Sequence, residues 1–143
     1  MKARVKRIEG RTFLGETESG HALAFGTAHG EGAKPGASPM ELVLIGTGGC
    51  TAWDVVNILE KGREPVDDVT VALDAERGEA EPRVFTRIHL HFTVTGRGVD
   101  PRKVARAIDL SMDKYCSASA MLAKTAEITH DFAVVDTRTP ATA

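Results

Sequence analysis

One segment limits the folds open to this chain more than any other. From Ser38 to Gly62 it reads SPMELVLIGTGGCTAWDVVNILEKG. Ser38, Pro39 and Glu41 combine three helix-start signals: a Ser N-cap, a proline at the first helical position, and a glutamate three residues after the cap. The helix is expected to run towards Gly62. Its apolar residues, from Met40 to Ile45 and again from Ala52 to Leu59, surround the axis instead of forming one stripe, and such a helix belongs in the middle of a core. Gly46, Gly48 and Gly49 interrupt it, at about 1 kcal/mol each relative to alanine. They predict either a bend or a very close neighbour. A bend would make Cys50 the first residue of a new helical stretch.

Around this segment the chain alternates short strands and helices. Ala3 and Val5 alternate with Lys2, Arg4 and Lys6; Arg11–Glu16 and His21–Phe25 follow, separated by Gly10 and Gly20. A glycine-rich loop is expected from Gly26 to Ala37. After the helix, Val69, Val71, Leu73 and Ala75 mark one strand, and Ile88, Leu90, Phe92 and Val94 a second. Asp100-Pro101 starts another helix, with a break expected near Lys114-Tyr115-Cys116 and a short helix through Met121-Leu122. A last strand runs from Ala126 to Val135, before a polar tail expected to fray. The order βββ-α-ββ-αα-β, with hairpin-like connections, favours an α+β fold over a doubly wound sheet. At 143 residues the chain reads as one domain, 1–143.

Composition removes several classes of partner. Lys and Arg total 18 against 20 Asp and Glu, a formal charge of −2. That balance argues against a nucleic-acid partner, which demands clustered cationic charge, and against a polybasic membrane anchor. The longest uninterrupted apolar run, at Leu42–Ile45, is too short to span a bilayer. No apolar block follows the basic N-terminus, so a cytoplasmic location is expected. In that reducing setting the two cysteines, Cys50 and Cys116, are not expected to form a permanent staple.

Both cysteines read two ways. Free cysteine is among the most buried residue types, which suggests inert small hydrophobes. Yet Cys50 follows the glycines, and Cys116 precedes Ser117, a candidate cap for the helix at Met121. A thiol at a helix N-terminus has a lowered pKa, and the thiolate is the reactive form. Other groups point less sharply. His89 and His91 share one strand face, but no CxxC, HxxxH or carboxylate cluster joins them into a metal site, and they read as polar face residues. Gly46-Thr47-Gly48-Gly49 lacks the lysine of a phosphate loop. Asp54 and Asn57 lie on the Cys50 side of the helix, without marking either as its general base.

The run from Ser38 to Cys50, followed 66 residues later by Tyr115-Cys116-Ser117, resembles the OsmC/Ohr family of peroxide-reducing proteins. The resemblance covers nearly the whole chain, to about Val135. It implies an OsmC-like fold, with antiparallel sheets around central cysteine-bearing helices in an intertwined homodimer. It implies a peroxidatic Cys50 and a resolving Cys116, with Arg11 holding the thiolate and a glutamate orienting that arginine. In the organic hydroperoxide branch this glutamate directly follows the helix-starting proline. Here Met40 takes that place and Glu41 comes one later, which brings the chain closer to the family's less characterised third branch. The implied function is a thiol-dependent peroxidase for organic hydroperoxides, acting in oxidative stress with an external dithiol reductant and no metal, flavin or haem cofactor. Apolar residues near Cys50, including Ile45 and Trp53, would favour organic over inorganic peroxide. The competing expectation is a non-enzymatic dimer that binds a small apolar ligand and keeps its thiols inert.

Overall fold

The structure, a computed structural model, describes residues 1–27 and 36–138. Most of the glycine-rich loop expected between Gly26 and Ala37 lies outside the described residues. The chain divides into two compact units, Met1–Ile45 and Gly46–Ala143.

In the first unit, β1 (Ala3–Glu9), β2 (Arg11–Thr17) and β3 (Ala22–Thr27) form an antiparallel meander in the order β1-β2-β3. Phe13 and Phe25 stack with their centroids 5.8 Å apart, while every residue of β1 is exposed. Opposite Thr12, Gly26 adopts φ +103°, and a Cβ there would lie 2.1 Å from the Arg11 carbonyl oxygen. Only glycine allows that approach.

The long helix α1 (Pro39–Lys61) starts where the capping signals place it. The Glu41 N–H donates to Ser38 Oγ at 3.2 Å, and the Ser38 N–H donates to Glu41 Oε2 at 2.6 Å. This reciprocal pair satisfies two amides that the first helical turn leaves open. The expected bend at the glycines is absent, since α1 is continuous through Gly46, Gly48 and Gly49. The close neighbour is present at one of them. A Cβ on Gly48 would fall 2.6 Å from Leu73 Cδ1, whereas one on Gly46 or Gly49 meets nothing within 4 Å.

The helix ends at Lys61, next to Gly62 as expected, and its cap is closed one residue beyond that glycine. Arg63 takes the left-handed conformation (φ 56°), its N–H donating to the Glu60 carbonyl and that of Glu64 to the Leu59 carbonyl. This is a Schellman closure with arginine where glycine is usual.

Burial along α1 also differs from expectation. Thr47, Gly48, Thr51, Val55 and Leu59 are buried, but Ile45 is 61% exposed and Trp53 78%. Within one chain only a single stripe at i, i+4 spacing is covered, so the helix apolar on every side keeps an open apolar face. At 23 residues, with a mean hydropathy of 1.5 in its most apolar stretch, α1 is long and apolar enough by composition to cross a membrane. The short run at Leu42–Ile45 therefore understated the apolar extent of α1, because glycine, threonine and alanine extend an apolar helix without a run of large residues. A core helix has the same composition.

In the second unit, β4 (Val66–Arg77), β5 (Phe85–Gly96) and β6 (Glu127–Asp136) form a sheet in the order β4-β5-β6. The central β5 buries Phe85, Ile88, Leu90, Phe92 and Val94. Its pairing with β4 is antiparallel, but that with β6 is parallel. This sheet is mixed, which corrects the expectation of antiparallel sheets joined by hairpin-like connections. A parallel pair needs a crossover, and α2 (Pro101–Leu110), a π-turn (Ser111–Tyr115) and α3 (Ser117–Leu122) supply it. The tail is ordered further than expected. The Thr137 N–H donates to the Gly96 carbonyl, and Arg138 pairs with Asp136; residues 139–143 lie outside the described residues.

The end of α1 is fastened to the start of α2. Glu64 accepts the Asp100 N–H at 2.9 Å and pairs with Lys103. The Lys103 hydrogen bond, and after it the Asp100 amide, hold the Glu64 carboxyl below its ordinary value. Its contribution is therefore present above the unfolded carboxylate pKa and lost as pH falls through the lowered folded value. Glu64→Gln should cost about 1 kcal/mol at neutral pH, and the deficit should shrink on acidification. Urea unfolding at about pH 7 and about pH 3 checks this, since an equal deficit at both would exclude the carboxylate charge as its source.

Candidate functional site

Cys50 lies well inside α1 and is half-buried; Cys116 follows the π-turn and is 2% exposed. The structure brings them together. A Cys50 sulfur, a Cys116 sulfur and an Asp54 carboxylate oxygen all lie within 4.8 Å of one another. Because α1 is unbroken, the expectation that Cys50 opens a helix is overturned, and no set of free helix-end amides faces its thiol. Cys116 does sit at a helix start, as the cap of α3 in place of Ser117: its Sγ accepts the Ser119 N–H at 3.4 Å.

Ser111 organises the cluster. It is fully buried and its hydroxyl donates to Asp54 Oδ2 at 2.9 Å. Its carbonyl accepts the Cys116 N–H at 2.8 Å, the i to i+5 bond of the π-turn. Single π-turns inside helical runs often accompany functional sites. The wider turn presents Cys116 towards α1, and one residue thereby fixes both the carboxylate and the second thiol. Beside Asp54, a cleft of about 360 Å³ is lined by Asn57, Ile58, Lys61, Leu110 and Tyr115.

Burial pushes the Cys116 thiol above its ordinary pKa; the Ser119 hydroxyl and amide oppose this, and the adjacent Cys50 thiol adds to the rise.

Arg11 opens β2, exposed and opposite Thr27, and Glu41 is the capping partner of Ser38; both belong to the unit Met1–Ile45. His89 and His91 share Asp131, at 3.2 and 2.6 Å, and His89 also bonds Thr129 Oγ1 at 2.7 Å. That is the polar sheet face expected of them. Sequence reasoning missed Asp54 as a member of the site. Its i+4 spacing from Cys50 was the available signal, but the partner that orients it, Ser111, is 57 residues away.

A family model described as OsmC-like protein matches residues 30–131. The chain belongs to the OsmC-like family. It is 54% identical over 135 residues to protein YhfA of Escherichia coli, covering 94% of this chain and 98% of YhfA. A crystal structure of a hypothetical protein from Aquifex aeolicus superposes with a TM-score of 0.79 at 28% identity, over 94% of this chain and 97% of that one. OhrB of Bacillus subtilis, an organic hydroperoxide resistance protein, shares the fold at a TM-score of 0.62 and 16% identity, over 93% and 98% of the two chains. The α+β reading and the family resemblance are thus borne out.

The titration of Cys116 is directly measurable. In Cys50→Ser, where burial remains as the main influence, its alkylation rate should rise with an inflection above the free-thiol value of about 8.5. An inflection at or below that value would exclude burial as the controlling effect.

Proposed function

We propose that this OsmC-like protein is a cysteine-based hydroperoxide reductase. The observation that carries the reading is the pairing of one half-buried thiol with one buried thiol within 4.8 Å. An attacking thiol must be reached by substrate, whereas a resolving thiol need only reach its partner. That division favours Cys50 for attack and Cys116 for resolution. Structural neighbours named as organic hydroperoxide resistance proteins, OhrB among them, point to the same chemistry.

The Cys50 thiolate attacks one peroxide oxygen, the O–O bond breaks, and the alkoxide leaves as alcohol after taking a proton. The resulting sulfenic acid is attacked by Cys116. An S–S bond forms, the hydroxide leaves with a proton as water, and two electrons have passed from the thiols to the peroxide. Asp54 is placed to take the Cys116 proton and hand it to that hydroxide. An external dithiol then restores the pair. Free thiols and this cycle both suit a reducing cytoplasm. Arg11 and Glu41 enter through the family resemblance: Arg11 as the cation that holds the thiolate, and Glu41 as its orienting partner in addition to capping α1.

Cys50→Ser should abolish consumption of organic hydroperoxide. Cys116→Ser should allow one turnover and leave a sulfenic acid that dimedone labels on Cys50, and Arg11→Met should slow attack at least about tenfold, roughly 1.4 kcal/mol in the barrier. Loss of the first turnover in Cys116→Ser would reverse the two roles. No consumption by the wild-type protein, with a dithiol present, would favour the ligand-binding alternative.

The open face of α1, with Ile45 and Trp53, and the exposed Val5 and Ile8 of β1 support a homodimer. Apolar surface of this kind is ordinarily covered by a partner. Sedimentation should give twice the chain mass at micromolar concentration, and Trp53→Glu should shift it towards monomer. A wild-type monomer would rule the dimer out.

A further inference from the structure

The cluster has a second use besides thiol chemistry. Its third member is the Asp54 carboxylate, one oxygen of which lies within 4.8 Å of both sulfurs. Two sulfurs and a carboxylate oxygen converging at this range are three donors of the kinds that bind metal ions. A divalent cation standing among them would meet all three at once. The donor set, two sulfurs and one oxygen, suits a borderline-soft ion of the zinc type better than magnesium or calcium, which take oxygen alone.

We propose that the reduced protein binds zinc through Cys50 Sγ, Cys116 Sγ and one Asp54 carboxylate oxygen. Tetrahedral zinc, with bonds of about 2.3 Å to sulfur and about 2.0–2.2 Å to oxygen, places its ligand atoms roughly 3.3–3.8 Å apart. The three donors lie within 4.8 Å of one another, so side-chain rotations of about 1 Å bring them to that spacing. Ser111 donates its hydroxyl to Asp54 Oδ2, the outer-shell bond that orients a ligating carboxylate, and the second carboxylate oxygen can coordinate. The fourth position goes to water or to a small ligand entering from the cleft lined by Asn57, Lys61 and Tyr115.

Zinc and the disulfide exclude each other. When a hydroperoxide oxidises the two thiolates, they lose two electrons and form the S–S bond. The peroxide takes those electrons with two protons and becomes alcohol and water, and the ion leaves because both sulfur ligands are gone. The release step rests on the proposed reductase reading; binding itself rests on the donor set alone.

Cobalt(II) is the probe, because thiolate ligation produces near-ultraviolet charge-transfer bands and a tetrahedral visible spectrum. Titrating the reduced full-length protein without oxygen should give both, at one ion per chain, and added zinc should abolish them. Cys50→Ser and Cys116→Ser should each lose about half of the charge-transfer intensity. Asp54→Asn should keep the thiolate bands with affinity lowered at least about tenfold, and Ser111→Ala should weaken binding by about tenfold or more. Wild-type protein oxidised to the disulfide with diamide should show no bands, a comparison that requires no variant to fold. The proposal is overturned by the absence of bands in the reduced protein, by one ion per two chains, or by unchanged affinity in Asp54→Asn. Cobalt bands without hydroperoxide turnover would refute the reductase reading and keep the metal site, and turnover without bands would do the reverse.

Discussion

The buried Ser111 side chain joins the two halves of the thiol cluster. Its hydroxyl holds the Asp54 carboxylate from α1, while its carbonyl accepts the amide of Cys116. A neutral donor bonded to a carboxylate in a poorly solvated place contributes about 1.5–3 kcal/mol, so the contact favours one arrangement of α1 against the π-turn. The distances among both sulfurs and the carboxylate follow from that arrangement. Glu64 supports it from the other end by tying the close of α1 to the start of α2.

The chemistry of the cluster depends on unequal surroundings. Cys116 is buried, with a thiol pKa raised by desolvation, and its sulfur caps α3. Cys50 is half-buried on a continuous helix. Two identical groups thus differ in access, which suits the proposed sequence of attack followed by resolution. The carboxylate between them adds a third kind of group, able to take a proton or to help hold a cation, and either use leaves the other two donors in place.

Local chemistry explains how much of this could be read before the fold was known. The start of α1 was legible because Ser38, Pro39 and Glu41 act within one turn. The strands were legible because alternation is a property of neighbours, as at Ile88, Leu90, Phe92 and Val94. Three features were not. The glycines suggested a bend or a close neighbour without deciding between them, and the neighbour at Gly48 is Leu73, a residue of another element. The parallel pairing of β6 with β5 depends on where a crossover returns the chain, which no local pattern encodes. Asp54 gained its place only through Ser111, and contacts between distant elements are what a single sequence conceals.

The π-turn makes the pairing of the thiols a matter of counting. Five residues, Ser111–Tyr115, fill a stretch that closes through the bond from the Cys116 amide to the Ser111 carbonyl. Removing any one of them would let the helical ladder resume its ordinary i to i+4 spacing, with no penalty in backbone hydrogen bonds. It would also turn everything downstream by about 100° around the axis and carry Cys116 away from α1. The fold has little reason of its own to retain that extra residue. The extra residue serves the meeting of the two thiols and not the backbone, so a descendant that dropped it could stay folded and lose that meeting in a single step.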